Sequence, residues 1–248
     1  MLSVELIQSP FLLILLLLVA FLYASVGHGG ASGYLALMSL FAFPVTFMKP
    51  TALVLNILVS AISFYFYYRE KKFEWKLFYP FAITSIPFSF LGGIITIETH
   101  IYKIILATVL LFAVARLLGL FGKQKGELKP INLPLALFIG AVIGFLSGLI
   151  GIGGGIILSP VLLLLGWADI KKSAAVSALF IFANSISGLM GFVSKGGTLP
   201  ISSVSLIAVV LIGGILGGYF GSKKMNTLVL RNVLAVVLLI AIFKLYTT

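Results

Sequence analysis

The chain of 248 residues is 61% hydrophobic and 9% charged, with a mean hydropathy of +1.23, and no water-soluble fold hides that much apolar surface. Cys is absent, which removes disulfide frameworks, thiolate metal sites and cysteine nucleophiles and leaves the redox compartment unreadable. The formal net charge of +11 does not point to nucleic acid, because that reading needs Lys and Arg on one solvated face, and here they sit in short loops between apolar runs.

The first apolar run, Phe11 to Leu22, follows a polar start, Met1 to Pro10, that contains Glu5 and no Lys or Arg. Nothing after it resembles a cleavage site followed by a soluble domain, so it reads as a retained membrane segment rather than a signal peptide. Further on, apolar runs at about 50–68, 77–97, 101–121, 172–193, 201–221 and 228–246 are long enough for a hydrocarbon core that needs about 20 residues. Residues 10–45 and 134–167 differ: each holds an apolar stretch, a glycine cluster and a second stretch too short for a comfortable span. Each region predicts either two short spans or one re-entrant hairpin.

The chain also repeats itself. At an offset of 124, Pro10 falls on Pro134, Gly27 on Gly151, Gly29 on Gly153, Gly30 on Gly154 and Ser63 on Ser187. After small insertions Leu91-Gly92-Gly93 matches Leu216-Gly217-Gly218, and Lys103, Leu106, Ala107, Leu110 and Arg116 match Arg231, Leu234, Ala235, Leu238 and Lys244. The expected architecture is all-α and polytopic, a single transmembrane domain of two homologous repeats, 1–121 and 131–248, joined by a cytoplasmic linker, 122–130. Each repeat is a glycine-broken hairpin followed by three transmembrane helices.

An odd number of crossings per half inverts the halves, and charge tests the orientation. Placing Arg69, Lys71, Lys72, Lys76, Lys123, Lys125, Lys129, Lys171, Lys172, Lys223, Lys224 and Arg231 in the cytoplasm collects twelve basic residues there; Lys49, Lys103, Lys195 and Lys244 make four outside, and Arg116 sits near an inner helix end. Both termini then lie outside.

Inverted repeats with broken helices at matching positions are the pattern of secondary transporters, whose substrate sits near the midplane at the repeat interface. Glycine costs about 1 kcal/mol per residue against alanine inside a helix, so the clusters Gly27-His28-Gly29-Gly30-Ala31-Ser32-Gly33 and Gly151-Ile152-Gly153-Gly154-Gly155 break it and free backbone N–H groups. Such groups need protein partners or a wet cavity, and a short helix starting after the break offers an anion its free amides without formal charge. By contrast, Gly140, Gly144 and Gly148, and Gly213, Gly217 and Gly221, form four-residue ladders that suit close helix packing, inside the chain or in a homodimer. Glu5, Glu70, Glu74, Glu98, Glu127 and Asp169 all fall at segment ends or in loops, which disfavours cation relays and favours an anionic substrate. With no acid pair, no Cys and two His, enzyme and metal-site readings lose support, and no cofactor is expected.

Substrate-binding candidates are Gly27, Gly29, Gly30, Gly151, Gly153, Gly154 and Gly155, with Ser32, Asn56, Ser159 and Asn184 as lesser ones. His28 could bind an anion when protonated, carry a coupling proton or simply pack; its counterpart is Ile152. Asn56, Asn184, Ser185 and Ser187 could bond substrate oxygens or neighbouring helices, and His100 reads as solvated. A non-transporting scaffold or assembly subunit, and a passive anion channel, are the rival functions.

At these residues the sequence resembles the TauE/SafE membrane proteins, a family of sulfite and organosulfonate exporters. The match runs through Gly148-Leu-Ile-Gly-Ile-Gly-Gly-Gly155, Ser159-Pro160, Gly166-Trp167, Ser173-Ala-Ala-Val-Ser177 and Asn184-Ser185, and more loosely through Gly27-His28-Gly29-Gly30, Pro44, Thr51 and Asn56. The first half departs from the pattern at His28, Ala31 and Ala36, the last lying where the second has Pro160. The resemblance implies movement of a small sulfur-containing or related organic anion across the plasma (inner) membrane.

Overall fold

The computed structural model describes residues 9–120, 128–199, 204–223 and 228–247, and among them all regular structure is helical. Most of the 122–130 linker, with Lys123, Lys125 and Glu127, lies outside the described residues, as do Glu5, Lys224 and the side chains of Lys223 and Arg231. The first half comprises α1 (Pro10–Ser25), α2 (Ala31–Leu40), α3 (Val45–Arg69), α4 (Trp75–Ile94) and α5 (Thr99–Leu117). The second comprises α6 (Leu133–Ile150), α7 (Gly155–Leu164), α8 (Ile170–Ser194), α9 (Val204–Lys223) and α10 (Leu228–Thr247). Proline in the first turn starts both α1 and α6, where its missing N–H costs nothing. The Asn132 side chain accepts from Leu135 N–H at 3.1 Å and that of Asp169 from Lys172 N–H at 2.9 Å, capping α6 and α8.

The surface differs from that of a soluble domain, although the core is apolar in both. Asn56, Ser63, Asn184 and Ser185 are buried, while Ile14, Ile83, Phe138, Ile212 and Phe243 are exposed, as lipid requires. Five helices, α3, α4, α5, α6 and α8, are long and apolar enough to cross a membrane by length and composition. The chain is thus a multi-pass membrane protein. Phe73 lies against Phe64, Tyr68 and Trp75, and Trp75 stacks on Tyr79 at 5.2 Å, around the α3–α4 turn that carries Arg69, Lys71, Lys72 and Lys76. Aromatic and basic residues together suit the membrane–water boundary.

Both glycine regions fold as hairpins that return to the end they entered. The ring of Phe11 lies 6.2 Å from that of Phe41, joining the start of α1 to the end of α2, and Lys129 N–H donates to the Gly166 carbonyl at 2.8 Å, joining the ends of α6 and α7. Of the two alternatives, a pair of short spans does not hold for the second hairpin, whose first arm is not short while its second, α7, has 10 residues. α6 runs 18 residues without interruption, about 27 Å at 1.5 Å per residue. Its internal glycines do not break it because α4 packs into them. Likewise α3 begins at Val45 rather than at residue 50, taking Pro50 into its early turns.

The glycine ladders set which helices touch and in which direction. A Cβ on Gly140, Gly144 or Gly148 would collide with the backbone of Phe81, Ser85 or Ser89 in turn, so α6 and α4 run parallel with main chains in contact. Gly213, Gly217 and Gly221 meet Leu17, Phe21 and Ser25 in the same way, making α9 parallel to α1. Such close approach supplies the packing that apolar burial cannot supply within lipid. Next to these pairs, α8 runs with α4, as Ser85 and Gly93 meet Asn184 and Gly188. It runs against α3, whose Asn56 and Tyr67 meet Ser185 and Lys171. α9 runs with α3, with Val59 beside Gly214 and Phe66 beside Gly218. Consequently α1, α3 and α9 point one way and α4, α6 and α8 the other. Both ladders are filled by helices of the same chain and so are not free to build a homodimer.

Gly148→Val should therefore lower the unfolding temperature in detergent, since overpacking costs about 1–3 kcal/mol. Gly214→Ala, whose nearest neighbour is the Val59 side chain at 3.3 Å, should lower it much less; differential scanning fluorimetry measures both.

Candidate functional site

The residues before α2 and α7 are Gly30 and Gly154, with φ of 95° and 78°. These left-handed values are cheap only for glycine, and they turn each hairpin so that a new helix starts deep inside the bundle. A helix start leaves its first amides without intrahelical partners. Here Tyr34 N–H reaches the Gly30 carbonyl at 3.0 Å, Ala31 N–H is accepted by Asn56 Oδ1 at 2.9 Å, and Ile157 and Leu158 share the Gly154 carbonyl at 3.1 Å. Among the described residues, the amides of Gly29, Gly30, Ser32 and Gly33 at one break, and of Ile152, Gly153, Gly154, Gly155 and Ile156 at the other, make no hydrogen bond. All of these residues are buried. A buried unpaired amide is costly, and both sets lie at the positive end of a helix.

The two breaks meet. Gly29 and Gly153 press on the same side chains, Asn56 and Ile181, and at neither is there room for a Cβ; Gly155 presses on Ile181 as well. Asn56 spans the junction, accepting from Ala31 and donating from Nδ2 to Ser185 Oγ at 3.4 Å. Each break also carries a buried hydroxyl with no partner: Tyr34, whose ring and hydroxyl lie against Gly30, and Ser147, beside Gly154.

His28 adds polarity to the junction. Its Nδ1 lies 2.8 Å from the Val26 carbonyl, and its Nε2 lies 3.1 Å from the Gly155 carbonyl and 3.0 Å from Ser159 Oγ. The Arg116 guanidinium, from the end of α5, hydrogen-bonds the same Nε2. Ser159 Oγ is also 2.6 Å from Ser177 Oγ. Arg116 thus brings a full positive charge to the edge of the amide cluster, within electrostatic reach of the Tyr23 and Tyr67 hydroxyls.

Of the residues singled out from sequence, Gly29, Gly30, Asn56, Gly153, Gly154, Gly155, His28 and Ser159 come together at this junction. Gly27 and Gly151 flank it, the first against Ala174 and the second against Lys49. Ser32 is already engaged, donating to the Tyr23 hydroxyl at 2.6 Å. Asn184 lies apart: its Nδ2 donates to Ser85 Oγ at 3.1 Å and to the Phe180 carbonyl at 2.8 Å, facing α4, and Ser185 takes the place at the break. Tyr34, Ser147, Ser177 and Arg116 were not legible as site residues. Three are ordinary in helices, and Arg116 reads from sequence as a charge at a helix end; only its match with Lys244 marked it. Glu70, Glu74, Glu98 and Asp169 occupy helix ends or loops, Glu74 pairing with Lys172 at 2.5 Å. Among the described residues no group of three or more His, Asp or Glu is placed to hold a metal ion.

A bundle with broken helices meeting around buried polar groups has the form of a membrane transporter, and comparison with known proteins agrees. The profile of the family described as "Sulfite exporter TauE/SafE" matches residues 12–245, and the chain belongs to that family. A Sinorhizobium fredii protein named "Probable membrane transporter protein y4hK" is 36% identical over 92% of this chain and 94% of its own length. One from Methanocaldococcus jannaschii, "Probable membrane transporter protein MJ0441", is 27% identical over 82% of this chain and 79% of its own. An Arabidopsis thaliana protein, "Sulfite exporter TauE/SafE family protein 1", is 33% identical over 38% of this chain and 20% of its own. No solved structure matches.

Asn56→Ala should leave Ala31 N–H buried without an acceptor and cost about 1–3 kcal/mol. The loss should appear as a lower unfolding temperature; Ser185→Ala, which removes only the longer bond, should cost less.

Proposed function

We propose that this protein is a secondary transporter that exports small anions such as sulfite, organosulfonates or related sulfur-containing and organic anions. The anion is held by backbone amides of the paired glycine breaks. The observation that carries this reading is the double set of buried, unpaired amides and hydroxyls meeting at one junction. An oxyanion satisfies several such donors at once, and two helix N-termini favour its charge without requiring a buried carboxylate partner. The absence of buried acids among the described residues fits an anion better than a cation. The family description and the name of the plant relative point to sulfite in particular.

The two-repeat division at the 122–130 linker belongs to the same proposal. Matched helices that point in opposite directions, α1 against α6, α3 against α8 and α4 against α9, support inverted repeats. Such a pair of halves can open alternately to either side of a fixed site. Twelve basic residues assigned to one side against four to the other support cytoplasmic placement of the linker, outward termini and the plasma (inner) membrane.

The first test is flux of radiolabelled sulfite, a small sulfonate and sulfate in proteoliposomes of the purified protein. Accumulation of one of them against its gradient is expected, which a channel cannot give. Gly153→Ala, whose Cβ has no room beside Asn56, Ile181 and Ser185, should reduce flux at least about tenfold. Retained assembly with lost flux separates a transporter from a scaffold; unchanged flux in this variant would remove the breaks as the site. For orientation, alkaline phosphatase fused after Thr248 should be active in cells, and the same enzyme inserted in the linker inactive.

A further inference from the structure

We propose that His28 and Arg116 link proton binding to anion binding, so that the junction takes up one proton together with its anion. This rests on the anion reading above and adds the coupling to it. Nδ1 of His28 faces the Val26 carbonyl at 2.8 Å. A carbonyl has no hydrogen to give, so Nδ1 carries the hydrogen whether the ring is neutral or charged. Nε2 is therefore the atom that gains or loses the proton.

Around Nε2 stand three groups that cannot all be served by one protonation state. The Arg116 guanidinium only donates, the Gly155 carbonyl at 3.1 Å only accepts, and the Ser159 hydroxyl at 3.0 Å does either. With the ring neutral, the Nε2 lone pair accepts from Arg116, and the Gly155 oxygen faces that lone pair without a donor from the ring. With a proton taken from water, Nε2–H donates to Gly155 and repels the like-charged guanidinium. Ser159 adjusts by exchanging roles with Ser177, 2.6 Å away. Nε2 thus has two alternative sets of partners, and a single proton selects between them.

The arrangements differ in what they offer an anion. The neutral ring occupies an Arg116 N–H; the imidazolium releases it and adds a second positive charge beside the α7 amides. It also ties the tip of the first hairpin to Gly155, the first residue of α7. An anion that prefers the charged state must in turn favour protonation, since linkage is reciprocal. The groups around the ring leave that logic intact. α1 gives Tyr23, whose carbonyl accepts His28 N–H; α3 gives Ser63 and, a turn further, Tyr67; α5 gives Arg116; α7 gives Ser159; α8 gives Ser173 and Ser177. None of these is a carboxylate. The matched position in the second hairpin, Ile152, holds no proton, so the linkage is one per chain.

The test is calorimetric binding of methanesulfonate, whose charge is fixed, to the purified full-length protein between about pH 5 and 8. Affinity should rise as pH falls, approaching about tenfold per pH unit. Buffers of different ionisation heat should report about one proton taken up per anion. His28→Gln should flatten the pH dependence, and Arg116→Gln should weaken binding at every pH. If His28→Gln does not fold, the proton count of the unaltered protein decides. Binding with flat affinity and no proton uptake overturns the linkage and leaves the anion reading standing. No binding of methanesulfonate or sulfite at any pH overturns that reading, and the linkage with it.

Discussion

Everything distinctive in this molecule follows from one constraint: in a bilayer, backbone N–H and C=O groups find no water. A continuous helix meets the constraint by itself, which is why the chain is helical wherever it is regular among the described residues. Interrupting a helix at depth is then the most expensive local act available. The protein does it twice, at Gly27–Gly30 and Gly151–Gly154, and brings both interruptions to one place. Part of the cost is met within the chain, by Asn56 at the Ala31 amide and by the Gly154 carbonyl serving two donors. The remainder is left open on both sides of the junction.

Because lipid is as apolar as a leucine side chain, hydrophobic burial cannot hold the breaks in register. Main-chain contact does so instead. The ladder Gly140, Gly144, Gly148 fits α6 against α4, and Gly213, Gly217, Gly221 fits α9 against α1, each carrying one arm of a hairpin into contact with a full-length helix of the other half. The junction is therefore assembled across the two halves of the chain, one arm of each contact coming from either half.

Departure from two-fold likeness carries as much meaning as the likeness. His28 stands where the second half has Ile152, and Arg116 reaches His28, whereas its counterpart Lys244 donates to the Leu40 carbonyl at 2.8 Å, at the far end of α2. Both hairpins bring buried helix-start amides to the junction, whereas His28 and Arg116 come from the first half alone.

Composition and apolar run length were enough to establish a multi-pass helical membrane protein, since hydropathy and helix length are local properties that lipid reads directly. The internal offset of 124 exposed the two glycine breaks, because a helix interruption is a backbone property that sequence states openly. Sequence read Gly140, Gly144 and Gly148 as a packing ladder but could not say that α4 would stand opposite them. Nor could it separate Asn184 from Asn56: both are buried amides on matched helices, and only the rotation of α3 and α8 turns one to the junction and the other to Ser85. Arg116 joined the site for the same reason. Its distance from His28 is 88 positions along the chain and a single hydrogen bond in space, and tertiary packing alone converts one into the other.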